Sequence, residues 1–241
     1  DRGLSYPELV DDFLRQRWCS AERPVIGATV HHHFDRLLKI WPDAKFVKIL
    51  RDGRDVARSC IGMKWAGNLW RGADRWIEAE HLWIELARSL PPERYIEFKY
   101  EDLITDPAVV LGRICEFMGV AYDPAMLTYP QSTTYSTPDP KLVSQWKKKL
   151  SDRQIQLAEA RIGTMLTERG YELSGLPRIE VSPLQVLVLH VHNYLMRTWG
   201  RLQDHGPLVV AMDFVSRRLG LKALNRYATL RINRSLETQL K

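Results

Sequence analysis

Apolar residues in this chain fall into short continuous runs separated by longer stripes at helical spacing. Residues 45–50 (KFVKIL) make one such run and read as a buried strand; 24–30 (PVIGATV) and 94–100 (RYIEFKY) read as further strands. The clearest helix covers 73–90. There Trp76, Ala79, Trp83, Leu86, Ala87 and Leu90 form one stripe, and Pro91-Pro92 stops it. Asp106 and Pro107 predict an N-cap and first helical position for a helix running to Met118. Residues 7–18, 34–41, 54–61 and 151–168 read as helices, with Pro42 ending the second and Ser151 capping the last. The Ser-, Thr-, Pro- and Tyr-rich stretch 128–140 reads as loop. Pro177 and Pro183 mark a linker to tail helices at 184–199 and 207–236. Strand–helix–strand–helix alternation predicts an α/β fold with a parallel sheet flanked by helices. The expected division is an α/β domain over 1–174 and a helical extension over 175–241. Parallel sheets take ligands outside the carboxyl ends of their strands, so the residues just after each strand are the ones to inspect.

Composition narrows the class. The chain has 241 residues, 45% of them hydrophobic and 27% charged, which excludes bulk disorder, collagen and coiled coil. No apolar run approaches the ~18 residues of a membrane span. The three cysteines, Cys19, Cys60 and Cys115, are odd in number and include no CxxC pair. A disulfide scaffold or metal site is therefore not expected, and a reducing, cytoplasmic compartment fits best. The net charge of +6 is uneven: residues 175–241 hold ten Lys/Arg against four acids, and the rest of the chain balances to zero. The chain opens Asp-Arg-Gly, with neither an initiator Met nor a signal pattern.

Chemistry gathers after two strands. The first is followed by Arg51-Asp52-Gly53-Arg54-Asp55-Val56-Ala57-Arg58-Ser59. A guanidinium at the strand end and a hydroxyl on the following helix suit one phosphate, because the planar fork of Arg binds its oxygens in pairs. The competing reading makes Asp52-Gly53 a simple turn and pairs Arg51 with a carboxylate. The second strand is followed by Tyr100-Glu101-Asp102-Leu103. Tyr100 at that edge suits a purine, or packs as most such tyrosines do.

The segment FVKILRDGRDVARS, followed by FKYEDLITDP and then ICEFMGVAYDP, resembles the sulfotransferases that use 3′-phosphoadenosine 5′-phosphosulfate, and within them the bacterial and tyrosylprotein-sulfotransferase-like branch. The similarity covers about residues 24–173. It implies a P-loop NTPase-like sheet. It implies that Arg51 and Ser59 hold the donor's 3′-phosphate and that Tyr100 contacts adenine. The resemblance makes Trp146-Lys147-Lys148-Lys149 a candidate for further phosphate contacts, against a plain solvated charge run, and the polar loop Ser132-Thr133-Thr134 another candidate. The family's Gly/Ser/Thr-rich phosphosulfate loop, of the type RSGTT, has no match here, nor is there a GxxxxGK[ST]. The expectation is an N-terminally truncated domain whose first strand and loop lie upstream of Asp1.

Sulfonyl transfer needs a general base, charge stabilisation and in-line positioning. The resemblance points to a histidine after a strand, and His31 and then His32 are the candidates. Cys60 reads as a packed residue. The expected activity is sulfonate transfer to a hydroxyl or amine, possible in this chain alone only if half a donor site suffices. The rivals are a P-loop kinase-like phosphotransferase and a non-catalytic nucleotide-binding module. The expected partners are the donor and an acceptor, without nucleic acid. The basic tail is expected to pack on the domain or a second subunit, with peripheral contact to anionic lipid as the alternative.

Overall fold

Among the described residues two short strands lie side by side in parallel register, and every other regular element is helical. Those described by the computed structural model, which covers residues 3–19, 25–131 and 139–239, are an α/β arrangement. The chain divides into two units: residues 1–52 with 76–148, and residues 53–75 with 149–241. Each is described by itself.

The first unit contains α1 (Tyr6–Cys19), β1 (Phe46–Leu50), the C-terminal part of α3 (Leu69–Arg88), β2 (Tyr95–Lys99), α4 (Tyr100–Thr105) and α5 (Pro107–Met118). Strands β1 and β2 pair with Phe46 opposite Tyr95 and Leu50 opposite Lys99. Alternation puts Phe46, Lys48 and Leu50 on one face. Trp83 packs edge-on to both Phe46 and Tyr95, with ring centroids 6.5 and 5.6 Å apart. Leu86 and the half-buried Phe34, Leu37, Leu38 and Leu90 complete this core. The α3 stripe also carries a charge that sequence reading left out. Glu80 is buried and accepts a 2.6 Å hydrogen bond from the Lys48 ammonium, while the Trp83 indole donates to Glu97 at 2.6 Å. A carboxylate so placed is tolerable because its counter-charge is built in. Helix α5 begins as the sequence predicts, with Pro107 first and the Asp106 carboxylate accepting from the Val109 amide.

Three expectations in this unit are corrected. Residues 25–30 form no strand; they are irregular and exposed, and residue 24 lies outside the described segment. A run of apolar residues becomes a strand only when its backbone finds a ladder partner, and among the described residues only β1 and β2 pair. The helix expected at 34–41 is a 3₁₀ turn over Phe34–Lys39. Strand β1 is buried on one face only, with Val47 and Ile49 exposed on the other.

The second unit contains α2 (Gly53–Gly62), the start of α3, α6's last residue, α7 (Asp152–Ile162), α8 (Met165–Glu168), α9 (Pro183–His205), α10 (Pro207–Leu219) and α11 (Lys222–Gln239), α6 being Trp146–Lys149. The expected helix 151–168 is broken at Gly163, whose φ of 67° leaves the helical region, and 207–236 is broken at Gly220 for the same reason. Ser151 and Ser182 both build capping boxes, with Gln154 and Gln185. Helices α2 and α3 approach so closely that a Cβ on Gly72 would sit 2.5 Å from the Ala57 carbonyl oxygen. Helix α9 docks on the α2–α3 connection: the Gly67 amide donates to Asn193 at 2.8 Å, the Asn68 side chain donates to the Leu189 carbonyl at 2.7 Å, and Lys64 pairs with Asp204.

The last three helices are joined by a polar hub. Buried Asp213 on α10 accepts from Arg201 of α9 at 2.6 Å and from Arg217 at 2.8 Å. Asn225 of α11 donates to Ser216, whose hydroxyl donates to the Asp213 carbonyl. Burial alone would raise the Asp213 carboxyl, but the bonds from Arg217 and Arg201 prevail and hold it below the usual carboxylate range. A carboxyl lowered by folding contributes stability that is complete above about pH 4, the unfolded value, and is lost as pH falls through the lowered folded value. Asp213→Asn is therefore expected to destabilise the chain at neutral pH. Its thermal midpoint, followed by circular dichroism, should converge with that of the wild type under strongly acidic conditions; a constant difference at every pH refutes the assignment.

Candidate functional site

Parallel register decides which side chains share an edge. Because Leu50 pairs with Lys99, the next residue of each strand, Arg51 and Tyr100, leaves the sheet at the same carboxyl end. The Arg51 guanidinium carbon lies 4.4 Å from the centre of the Tyr100 ring, a cation–π contact. Among the described residues Arg51 has no ion pair, and its Nε is buried without a hydrogen-bond acceptor. Among the described residues, the carboxylate pairing that competed for Arg51 is absent. The backbone here is held from two sides: the Trp76 indole donates to the Arg51 carbonyl at 2.9 Å, and the Asp52 amide donates to Glu101 at 3.1 Å. Neither Trp76 nor Glu101 stood out in the sequence as part of a site. Trp76 read as one more residue of an apolar stripe, and Glu101 as one acid in Glu-Asp. Tyr100 opens the short helix α4, which sequence reading missed by carrying the strand to residue 100.

In the second unit Ser59 is half-buried on α2, and its hydroxyl makes no hydrogen bond among the described residues. What fixes α2 is Arg54. Its guanidinium, fully buried, donates to Glu159 at 2.6 Å and to the Glu172 carbonyl at 2.9 Å. Glu159 in turn accepts from the Ser174 amide at 2.8 Å and its hydroxyl at 2.9 Å. Of the arginines in the Arg-Asp-Gly-Arg run, the second is thus the structural cation and the first is left for other work. Cys60, next to Ser59, is buried, and burial pushes its thiol up against an opposing pull from Arg75. That agrees with a packed residue rather than a nucleophile.

His31 and His32 are exposed and precede the 3₁₀ turn, whose cap, His33, has a left-handed φ of 54°. The strand that was to present them is missing, as noted above. Lys147, Lys148 and Lys149 are all exposed, and the Lys147 ammonium lies 5.4 Å from the centre of the Trp146 ring. Ser132-Thr133-Thr134 lie outside the described residues. No group of three or more potential metal-binding side chains converges among the described residues.

Residues 12–124 match the model of the sulfotransferase family. The matched segment contains β1, the Arg51–Ser59 run, β2 and Tyr100. A curated relative, the protein-tyrosine sulfotransferase A of Caenorhabditis elegans, is 25% identical over 101 residues, which is 39% of this chain and 27% of the relative. The sulfotransferase domain of the Synechococcus PCC 7002 olefin synthase superposes with a TM-score of 0.53 at 24% identity. It covers 70% of this chain and 66% of that domain. This likeness shows the fold, the P-loop-like α/β fold expected from the sequence. The chain spans about a quarter of the length of its curated sulfotransferase relative.

The Arg54–Glu159 pair gives a direct test of how the chain holds α2. Glu159→Ala leaves a buried cation without its counter-charge, at an expected cost of about 3–5 kcal/mol. The measurement is the urea midpoint, and a shift under about 1 kcal/mol contradicts the arrangement.

Proposed function

We propose that the chain takes part in sulfonate transfer, with 3′-phosphoadenosine 5′-phosphosulfate as donor and a hydroxyl or amine as acceptor. The observation that carries this reading is the Arg51 guanidinium. It sits on Tyr100 at a shared strand end, charged, and with a buried N–H that no oxygen of the described residues accepts. A phosphate is the acceptor such a fork fits. Ser59, eight residues on, has a hydroxyl with unused hydrogen-bonding capacity and is the proposed second contact. The Arg51 fork therefore fits a phosphate of the donor. The family match over 12–124 supports sulfonate transfer in general; the donor and the class of acceptor are the proposal.

When bound, the donor supplies a sulfonate whose bond to the phosphate oxygen breaks as the acceptor atom attacks sulfur. This chain's residues do the rest by position and charge. Arg51 and Ser59 hold the 3′-phosphate and so fix the nucleotide along the sheet edge. Tyr100 steadies the guanidinium with one ring face and offers its edge to the base. His31, or His32, takes the acceptor's proton; both are exposed and accessible for that exchange.

Isothermal titration calorimetry with two nucleotides tests the reading without requiring turnover. Adenosine 3′,5′-bisphosphate is expected to bind more tightly than 5′-AMP. Arg51→Ala is expected to weaken the bisphosphate by ~2 kcal/mol, about thirtyfold, with little effect on 5′-AMP. Equal affinities for the two nucleotides in the wild type overturn the assignment.

A further inference from the structure

The ladder between β1 and β2 finishes at Leu50 and Lys99, so it offers no partner to the peptide that joins Arg51 to Asp52. A buried peptide must find its hydrogen bonds somewhere. This one finds them on side chains from two different helices. At its carbonyl end the Trp76 indole of α3 donates to the Arg51 oxygen at 2.9 Å. At its amide end the Asp52 N–H donates to the Glu101 carboxylate of α4 at 3.1 Å. A peptide unit is planar, so holding both ends fixes its orientation, and with it ψ of Arg51 and φ of Asp52. The direction in which the Arg51 side chain leaves the turn follows from those angles.

Arg51 depends on such fixing. Its guanidinium makes no hydrogen bond among the described residues, and its charged group rests on the Tyr100 ring, 4.4 Å away. A ring face attracts a cation without the directionality of a hydrogen bond, so it does not by itself aim the fork. Trp76 is a rigid support. It is only 3% exposed, and Glu80 and Trp83, one and two turns further along α3, are bonded to Lys48 and Glu97. Its N–H cannot follow a drifting carbonyl unless the helix moves. Glu101 directly follows Tyr100, so the residue under the guanidinium and the residue holding the next amide share the first turn of α4. We infer that Trp76 and Glu101 are positioning residues for the Arg51 anion site, clamping the Arg51–Asp52 peptide so that the guanidinium meets a phosphate already aimed. This rests on the reading of Arg51 as a phosphate contact. Neither residue is required to touch the nucleotide.

The test is titration calorimetry of the full chain with adenosine 3′,5′-bisphosphate and with 5′-AMP, with circular dichroism to check folding. Trp76→Phe keeps an aromatic ring and deletes the N–H. Glu101→Ala deletes the acceptor, and Glu101→Gln returns an oxygen to the Asp52 amide. Trp76→Phe and Glu101→Ala are each expected to cut the preference for the bisphosphate about tenfold, less than Arg51→Ala because the cation is misaimed rather than removed. Affinity for 5′-AMP should hold, and Glu101→Gln should restore the preference. In the indole region of a nitrogen-15 spectrum, the bisphosphate should shift the Trp76 N–H, identified by its loss in Trp76→Phe, more than the Trp83 N–H; 5′-AMP should shift neither. The Glu101 pair decides the matter if Trp76→Phe does not fold. Equal wild-type affinities for the two nucleotides overturn the reading of Arg51 and this inference with it. A wild type that prefers the bisphosphate, with Trp76→Phe and Glu101→Ala keeping that preference or weakening both nucleotides alike, overturns the inference alone.

Discussion

The pairing of Leu50 with Lys99 is the constraint on which the first unit's chemistry depends. Parallel strands in that register end together, so whatever follows each is delivered to one edge. Had the register slipped by one residue, every alternate side chain would have changed face. The row Trp76, Glu80 and Trp83 on α3 guards against that slip. Trp83 binds Glu97 and packs on Phe46, Glu80 holds Lys48, and Trp76 holds the Arg51 carbonyl. Lys48 and Glu97 are themselves direct cross-strand partners, so one helix reads the register at the same rung from both strands.

Much of this was legible from residues alone, because local rules sufficed. The Asp106-Pro107 start of α5 and the Ser151 cap of α7 depend on a few neighbouring residues, and both are present. The strand cores at 46–50 and 95–99 follow from short apolar runs. Long-range partnership was what the sequence hid. Residues 25–30 have the composition of a strand but no ladder partner, and so remain irregular. Glu80 sits between residues of an apolar stripe, and only Lys48, 32 positions earlier, makes its burial intelligible. The two arginines flanking Asp52-Gly53 were likewise indistinguishable by type. Their different fates depend on Glu159, more than a hundred residues downstream, which engages Arg54 and leaves Arg51 to Tyr100.

The tail shows a similar limit. Its excess of positive charge was plain from counting residues, and so was its helical spacing. The direction in which each stripe points was not. Apolar stripes normally turn inward, whereas the α9 stripe from Leu184 to Trp199 is exposed and the face opposite it carries Asn193, bonded to the Gly67 amide. A carboxylate that gathers two guanidinium groups is a costly centre for a helical trio unless every lone pair is used. The additional bonds from Ser216 and Asn225 satisfy the neighbouring groups of this hub.

Arg51 carries a last consequence. A cation balanced by a carboxylate must break that bond before it receives an anion, and remake it when the anion departs. The aromatic face under Arg51 requires neither exchange. The ring neutralises no charge and moves no proton, so the proposed anionic guest would meet no competing counter-ion among the described residues.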